Sequence, residues 1–347
     1  MKAVYLNGHG GNEVVQVGDR PDPTPAPGDV VVSMRASTLN QVDLYMRNSG
    51  AGITHQLPQI MGLDGAGVIA STEGDAAFRV GQRVLVHPGI ACGRCEFCLR
   101  GRDVLCTRMS LLGEHRHGTW AQWLSLPARN VFPCPDHLDD LQAAALGVNH
   151  LTAWRMVVTQ ARLQPWETVL ILGIGGGVSL AALQIAHALG ARTLVTSRHA
   201  DKLARASALG ADVVIDSSQQ DIAKAALAAT DGRGVDVVIE NVGAAVWSSA
   251  LKSLVRGGRI VTCGATTGDQ PGADLRRLFI RQLQVLGSTL GSLHEMQDLL
   301  AFVTRHCLTP VMDQIHELDD VHAALDRLES GRQFGKVGLR IPTTSAS

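Results

Sequence analysis

Residues 168–191, TVLILGIGGGVSLAALQIAHALGA, decide the fold class of this chain. The apolar run 169–172, between Pro165 and a cluster of glycines, predicts a strand that is buried on both faces. The Ala- and Leu-rich segment that follows, ending at Gly190, predicts a helix. Because missing side chains let a diphosphate approach the N–H groups at a helix N-terminus, the stretch predicts a dinucleotide-binding turn. The predicted cofactor-binding residues of this turn are Gly173, Gly175, Gly176, Gly177 and Val178.

Two other interpretations apply to the same stretch. Residues 169–191 carry no Asp, Glu, Lys or Arg, which is also typical of a membrane span, but a turn with four glycines disfavours that structure. The glycine pattern is also incomplete, because it reads GxGxxV from Gly173 and has Ser179 where a last glycine is expected. Taken alone, the glycine run is also compatible with a turn that binds no nucleotide. The sequence downstream decides between the two interpretations.

The composition bounds the class of protein. The chain has 347 residues, 45% hydrophobic and 18% charged, which is typical of a globular protein of two domains. A net charge of -1 and 4% aromatic residues disfavour binding to nucleic acid or to an anionic membrane surface. The N-terminal MKAVYLNGHG lacks the apolar segment of a signal peptide, so we expect a cytoplasmic protein.

The first third of the sequence is rich in short strands. β-branched runs at 30–32, 68–70 and 83–86 are separated by turn residues, and no long helical period precedes residue 140. This pattern predicts a distorted barrel of short strands with irregular loops.

Strands and helices alternate after the glycine turn. The strands are predicted at 192–197, 213–215, 235–240, 259–263 and 283–288, with a helix at 200–208. This alternation predicts a parallel sheet with right-handed crossovers. The tail from about residue 291 includes an amphipathic helix at 319–328 and returns to the first domain.

Four cysteines lie within fifteen residues, at Cys92, Cys95, Cys98 and Cys106. Four thiolates at this spacing can surround one Zn²⁺ tetrahedrally and leave no open position, so we predict a structural zinc in a lobe at about 89–109. An iron–sulfur cluster and disulfides are the alternatives. The three other cysteines, Cys134, Cys263 and Cys307, are interpreted as ordinary thiols.

The cysteine lobe and the glycine turn together resemble the medium-chain dehydrogenase/reductase superfamily, from KAVYL at the start to FGKVGLRI at 334–341. The resemblance implies an α/β fold class, with a GroES-like β-rich catalytic domain built from 1–149 and 291–347. It implies a Rossmann domain, a doubly wound parallel sheet, at 150–290, and a nicotinamide cofactor in the cleft. A strand at the sheet edge, together with the resemblance, indicates a homodimer or homotetramer.

The chain departs from the zinc alcohol dehydrogenases of that superfamily at the catalytic metal. Asn40 stands where a Cys-His-Thr-Asp type run supplies the first ligand, and Leu63 and Asp64 stand in the place of a Gly-His-Glu run. The third ligand falls near Val148. Because Leu and Val cannot bind zinc and Asn binds it weakly, we expect no catalytic zinc. The LNQVD and GLDGAG runs resemble the quinone oxidoreductase and enoyl reductase branch, which works without metal.

The absence of a Lewis acid favours a particular class of reaction. Hydride addition to the β-carbon of an α,β-unsaturated carbonyl leaves a delocalised enolate that hydrogen bonds can stabilise. We therefore predict NADPH-dependent reduction of a small-molecule enone, enoyl ester or quinone. The alternatives are a zinc-dependent alcohol dehydrogenase with a non-standard catalytic metal site, and a nucleotide-binding protein without catalysis.

Four residues are the candidate catalytic groups. Asn40 is expected to hold the nicotinamide ribose or donate to the substrate carbonyl, although it can also be a loop cap. Tyr45 can donate a proton or simply pack. Asp64 is interpreted as an anchor paired with Lys336, and His150 as either a group near the nicotinamide or an ordinary buried polar residue.

The run GEHRHGTWAQW at 113–123 contains the metal-capable side chains Glu114, His115 and His117. An extended backbone would place both histidines on one face, so a non-standard zinc site is an alternative to a solvated loop or pocket edge. Gln56, Leu57 and His115 are expected to line the substrate pocket.

The end of the second strand of the Rossmann domain predicts the cofactor. An acidic residue there would bind the ribose of NAD, whereas this chain has Ser197 and Arg198, with Lys202 nearby. A hydroxyl and a guanidinium suit a 2′-phosphate, which predicts NADP(H). Loops at the carboxyl ends of later strands are expected to contact the nicotinamide through Asn241, Gly264 and Ala265.

Overall fold

The computed structural model describes residues 1–53, 55–72 and 78–343. The strands of this part are β1 Lys2–Leu6, β2 Val15–Asp19, β3 Asp29–Thr38, β4 Gln59–Ile60, β5 Ala66–Thr72, β6 Arg83–Val86, β7 Gly89–Ile90, β8 Ser110–Leu111, β9 Trp123–Pro127, β10 Val131–Pro133, β11 Thr168–Ile171, β12 Arg192–Ser197, β13 Val213–Asp216, β14 Val235–Glu240, β15 Leu254–Thr262, β16 Gln284–Gly287, β17 Met312–Glu317 and β18 Lys336–Arg340.

The α-helices of the same part are α1 Gln41–Ser49, α2 Glu96–Leu99, α3 Asp140–Ala144, α4 Leu151–Trp154, α5 Gly177–Ala188, α6 Ala200–Ala208, α7 Ile222–Ala229, α8 Ala244–Ser253, α9 Leu275–Arg281, α10 Leu293–His306 and α11 Val321–Glu329. Two π-helical segments, Leu146–His150 and Arg155–Gln160, flank α4. Within the described residues, no helix combines the length and the apolar character that crossing a bilayer requires.

The chain forms two compact units, Met1–Asn149 with Gly291–Ser347, and His150–Leu290. The first unit contains a sheet in the order β10-β6-β5-β3-β18-β17, with β9 paired to β3. A smaller sheet has the order β2-β1-β4. In β3, Val30, Val32 and Met34 alternate into the core, where they belong to the same apolar cluster as Trp120 and Leu325.

One expectation for the first unit was wrong. The nine-residue helix α1 lies well before residue 140, where no helix was predicted. Asn40 and Asp43 form a reciprocal capping box at its start, and Gly50 ends it in the left-handed conformation, with φ 69°. The helix is marked by its caps rather than by a long apolar period, and hydrophobic periodicity alone therefore does not find it.

The second unit is a parallel sheet in the order β13-β12-β11-β14-β15-β16, with helices between the strands. It confirms the predicted α/β fold class, and residues 168–191 form β11, the glycine turn and α5 rather than a membrane span. The strand β15 begins at Leu254, five residues before the predicted start. Arg-Gly-Gly at 256–258 resembles a turn, but the strand pairs with β14 through an irregularity between Val235 and Val237.

Candidate active site, cofactor site and metal centre

The four predicted zinc ligands lie together in the first unit. The Sγ atoms of Cys92, Cys95, Cys98 and Cys106 are all within 4.8 Å of one another, and none is in a disulfide. The backbone N–H groups of Cys92 and Arg108 donate to Cys106 Sγ at 3.2 and 3.3 Å, as they would to a thiolate. This donor set fits one tetrahedral zinc with no open position, and the ion would hold the lobe rather than take part in chemistry.

A polar cluster surrounds the buried side chain of Lys336 in the first unit. Its Nζ lies 3.0 Å from Asp64 Oδ2 and donates to Asn40 Oδ1 at 2.7 Å, Leu39 O at 2.8 Å and Asn149 Oδ1 at 2.8 Å. The side chains of Lys336 and Asp64 are 2% and 0% exposed. The predicted ion pair therefore forms, and oxygen atoms of four residues surround the ammonium.

Only one of the two oxygens of the Asp64 carboxylate has partners. Its Oδ2 also accepts from Thr38 Oγ1 at 2.5 Å and from Asn40 Nδ2 at 2.9 Å. Its Oδ1 is buried without a hydrogen bond among the described residues. A Cβ atom at Gly147 would lie 2.8 Å from this oxygen, so a side chain at that position would displace the carboxylate.

The residues of this cluster do not fit a catalytic zinc. Leu63 is buried and has no donor atom, and Asn40 Oδ1 already accepts a proton of Lys336. Over the ranges that the structure describes, the cysteine lobe is the only group of three or more His, Cys, Asp or Glu side chains gathered closely enough to hold an ion. A buried ammonium thus supplies the positive charge beside Asp64.

The non-standard site considered for Glu114, His115 and His117 is not formed by the described residues. His115 Nδ1 accepts from Leu111 N, and His117 Nδ1 accepts from Ile60 N, both at 3.2 Å. Each ring is therefore engaged by a different segment of backbone. The metal-site hypothesis for this run does not agree with the structure, while its role at a pocket edge stays a prediction.

The structure separates the four candidate catalytic residues. Asn40 and Asp64 lie together, whereas Tyr45 is 39% exposed and lies about 200° around α1 from Asp43. His150 belongs to the second unit, where it is buried with Nε2 3.4 Å from Gln184 Oε1 on α5. Its neighbour Asn149, which the sequence did not single out, is the residue that contacts Lys336. Gln56, Leu57 and His115 are exposed.

Two further carboxyl groups of the first unit are buried. The pKa of Asp43 is raised to about 8, mainly by burial and to a smaller extent by the Asp64 and Glu114 carboxylates, against the opposing effects of the Asn40 backbone N–H and the Lys336 charge. Asp43 Oδ2 accepts from the backbone N–H of Asn40 at 2.7 Å. Burial also raises the pKa of Glu114 to about 7.

The glycine turn in the second unit has the shape of a phosphate cradle. Gly173 and Gly175 have φ angles of 67° and 122°. A Cβ at Gly173 would lie 2.8 Å from Val242 Cγ2, and one at Gly175 would lie 2.8 Å from Lys202 Cδ. Ser179, which replaces the last glycine of the fingerprint, donates from Oγ to the carbonyl oxygens of Gly173 and Gly176, both at 3.0 Å. These two hydrogen bonds stabilise the turn, which explains why a serine replaces the last glycine of the dinucleotide-binding fingerprint.

The other predicted cofactor residues surround this turn. Lys202 extends over it, with Nζ 3.2 Å from the Cβ position of Gly175. Ser197 Oγ accepts from His199 N at 3.1 Å, and Arg198 is exposed beside it. Asn241 Oδ1 is buried with no partner among the described residues, as expected for an atom that awaits a ligand. These features fit a nicotinamide dinucleotide.

Glu240 joins the two loops predicted to contact the nicotinamide. It is 0% exposed, and its Oε1 accepts from Val242 N and Gly243 N, both at 2.6 Å. Its Oε2 accepts from Thr262 Oγ1 at 2.8 Å. A Cβ at Gly264 would lie 3.1 Å from Asn241 O, so the loops pack tightly together. Sequence reasoning missed Glu240, although an acidic residue that ends a buried strand was a usable signal.

Comparisons with known proteins cover both units. The profile of the alcohol dehydrogenase GroES-like domain matches residues 26–136, and that of the zinc-binding dehydrogenase family matches residues 177–305. An alcohol dehydrogenase of Geobacillus stearothermophilus is 30% identical over 331 residues, which cover 94% of this chain and 96% of that protein.

Solved structures agree with these matches. The crystal structure of an NAD-dependent alcohol dehydrogenase is 40% identical, covers 99% of this chain and 100% of its own, and has a TM-score of 0.95. A cobalt- and zinc-bound thermostable alcohol dehydrogenase from Pyrobaculum aerophilum is 29% identical, with a TM-score of 0.88 over 98% of this chain and 99% of its own.

Similarity of this extent, together with the cysteine lobe and the glycine cradle, identifies the class of enzyme. The protein is an NAD(P)-dependent oxidoreductase with small-molecule substrates, and the alternative of a nucleotide-binding protein without catalysis is not favoured. The chain belongs to the zinc-containing medium-chain dehydrogenase/reductase superfamily.

Proposed function

We propose that this enzyme uses NADPH to reduce an activated double bond, in an enone or enoyl ester, or a quinone, without a metal at the reacting centre. The observation that carries the proposal is the buried cluster of Lys336, Asp64 and Asn40, together with Leu63 where a zinc ligand would be needed. A simple ketone is hard to polarise without a Lewis acid, whereas an unsaturated carbonyl needs only hydrogen-bond donors.

The residues of the cluster can supply such a donor. When bound, the reduced nicotinamide supplies a hydride. Lys336 fixes the Asn40 amide by binding its oxygen, and Asp64 accepts one of the two Nδ2 protons. The second Nδ2 proton has no acceptor among the described residues and is available to a substrate carbonyl. The role of the ion pair is therefore to orient Asn40.

Alcohol dehydrogenation at a non-standard catalytic metal site is the second candidate. The names of the relatives favour it over the reductase, because the relatives compared above are alcohol dehydrogenases and one contains cobalt and zinc. The residues around Asn40 disfavour a metal site, because Leu63 has no atom that binds a metal and Asn40 Oδ1 already accepts a hydrogen bond from Lys336.

Substrate assays separate the two candidates. We expect NADPH oxidation with at least one enone, enoyl thioester or quinone, with a saturated carbonyl or hydroquinone as the product by mass spectrometry. If primary and secondary alcohols are oxidised and none of the unsaturated acceptors is reduced, the second candidate is correct. Matched reactions without enzyme correct for direct reduction of the quinones.

NADP(H) is the proposed cofactor, although one relative is named as NAD-dependent. Ser197→Asp is expected to raise the KM for NADPH by about tenfold or more and to change the KM for NADH much less, because a carboxylate repels a 2′-phosphate. Steady-state kinetics with both cofactors test this, with Ser218→Asp on the same unit as a control. Equal effects on the two cofactors would remove the argument.

We further propose that the second unit pairs with another copy of the chain along β16. This strand lies at the sheet edge, and Val285 on it and Leu275 and Phe279 on α9 are 45%, 70% and 71% exposed. An exposed edge with apolar neighbours is suited to pairing in a homodimer, or in a homotetramer built from dimers. Sedimentation equilibrium is expected to give twice or four times the mass of one chain, and a monomer would contradict the proposal.

A further inference from the structure

The first unit contains a cavity lined by residues that take no part in the cysteine lobe, the Lys336 cluster or the cofactor turn. Its volume is about 380 Å³, which lies within the range of small-molecule sites. Most of its wall comes from residues 20–24 after β2, from the turn at residues 116–118 and from residues 123–125 of β9. All three segments belong to the first unit. A ligand in this cavity would therefore bind at a site of its own.

The two carboxylates of the lining already have partners within the chain. Asp29 is 6% exposed, and its Oδ2 accepts from Ser125 Oγ at 2.9 Å and from Ala26 N at 3.2 Å. Asp22 forms an ion pair of 2.9 Å with the Met1 ammonium. Neither carboxylate therefore neutralises the guanidinium groups that line the same cavity.

The two guanidinium groups of the lining have no anionic partner. Arg20 Cζ lies 5.0 Å from the centroid of the Tyr5 ring, and Arg116 is exposed. Neither guanidinium forms an ion pair or a hydrogen bond with another residue in the part of the chain that the structure describes. Guanidinium groups bind carboxylates and phosphates through paired N–H bonds, so two of them in one cavity favour an anionic ligand.

The backbone holds Arg116 and His117 in a fixed turn against β4. Gln59 Nε2 donates to Arg116 O, and His117 Nδ1 accepts from Ile60 N at 3.2 Å. A Cβ at Gly118 would lie 2.2 Å from a backbone oxygen, so the turn packs closely on its neighbour. Because Nδ1 of His117 is an acceptor, its Nε2 carries the ring proton and is a third donor in the lining.

The pKa of His117 shows that Arg20 lies near this ring. Partial burial lowers the pKa of His117, and the positive charge of Arg20 lowers it further. The imidazole is therefore neutral at neutral pH. The field of the guanidinium that disfavours a second cation beside it attracts an anion by the same Coulomb interaction.

The remaining wall of the cavity is apolar. It includes the partly exposed indole of Trp123, together with Ile60 and the rings of Pro21 and Pro23. An indole and proline rings offer flat surfaces on which an aromatic or aliphatic group can pack. The cavity therefore combines cationic donors with a surface for a compact apolar body.

We propose that this cavity binds a small organic anion, a carboxylate or a phosphate ester with a compact apolar body, through Arg20, Arg116 and the Nε2–H of His117. The site shares no residue with the cofactor turn or with the Lys336 cluster, so its ligand binds whichever reaction the enzyme catalyses.

Isothermal titration calorimetry tests the site, with benzoate and phenyl phosphate as the probes and with NADPH at saturation. Both anions should bind, and the tighter of the two distinguishes a carboxylate ligand from a phosphate ester. Benzamide has the same ring without the charge, and it should bind at least about tenfold more weakly. Inorganic phosphate, which lacks the apolar body, should also bind more weakly than phenyl phosphate.

Substitutions in the lining locate the bound anion. Arg116→Gln and Arg20→Gln should each weaken benzoate binding by about 10- to 100-fold, because each removes a charge-assisted hydrogen bond. Trp123→Ala should weaken the binding of benzoate more than that of inorganic phosphate, because it removes an apolar contact. The matched control is Arg305→Gln, which changes an exposed arginine on α10 outside the cavity and should bind benzoate as the wild type does.

The contrary results are equally distinct. If no probe binds at up to about 10 mM, or if benzamide binds as tightly as benzoate, the cavity is not an anion site. If both arginine variants bind benzoate as the wild type does, the anion lies elsewhere, and displacement of benzoate by NADPH would place it in the cofactor site. Circular dichroism of each variant checks its folding, and if one arginine variant fails to fold, the other decides.

Discussion

Lys336→Met is expected to lower the free energy of unfolding by about 3 to 5 kcal/mol. The methionine removes the cation from a pair whose side chains are 2% and 0% exposed, and it leaves the Asp64 carboxylate charged in the interior. The oxygens of Asn40 and Asn149 lose their donor in the same change. Urea denaturation followed by circular dichroism measures the loss.

The matched control is Lys2→Met, since Lys2 forms an ion pair with Asp319 in which the side chains are 34% and 60% exposed. An exposed pair contributes about 0 to 1 kcal/mol, so this variant should be nearly as stable as the wild type. The double variant Lys336→Met with Asp64→Asn should recover part of the loss, because no buried charge remains. If Lys336→Met costs no more than Lys2→Met, the ion pair is not what holds the cluster.

Cys106→Ala should reduce the zinc content from about one per chain to well below half. Structural zinc in small domains contributes about 10 kcal/mol or more, and three thiolates bind it much less tightly than four. The helix α2, Glu96–Leu99, buries none of its residues, so without the ion little apolar packing holds this part of the lobe. Elemental analysis measures the metal, and limited trypsin digestion measures cleavage near Arg100 and Arg102.

Cys307→Ala is the control for that experiment, since Cys307 is exposed and lies away from the lobe. It should keep its zinc and its resistance to trypsin. A Cys106→Ala protein that retains one zinc per chain would show that the ion is held elsewhere. Iron in place of zinc in the wild type would favour the cluster alternative.

The strands of the second unit and its helices α5 and α6 could largely be predicted from the sequence, because most of these elements have a local signal. The strands β12 and β14 and the helix α6 have the predicted bounds, and apolar runs between turn residues define them. The start of β15 was missed because Arg256 and two glycines interrupt the run, and the pairing with β14 overrides that signal. Pairing between two strands that are distant in sequence cannot be recognised from the sequence of either strand alone.

The active-site cluster was only partly predictable. The Asp64–Lys336 pair was expected because carboxylates often serve in ion pairs, although 272 positions separate the two residues in sequence. Asn149 was missed because its role depends on the π-helical turn that presents it to Lys336, and nothing in LGVNH marks that turn. Tyr45 was favoured because a phenol can donate a proton. It lies on the opposite side of α1 from Asp43 and is partly exposed, and the direction of its side chain became known only once the structure had shown the helix.

The central claim is that hydride transfer occurs where an ammonium, rather than a zinc ion, lies beside Asp64. The most direct measurement is the zinc content of enzyme that is fully active in NADPH-dependent reduction of an unsaturated carbonyl, determined before and after dialysis against a chelator that strips open metal sites. The account predicts about one zinc per chain, held by the four cysteines, and no loss of activity on dialysis. Two zinc ions per chain, with activity that disappears when the second is removed, would contradict it.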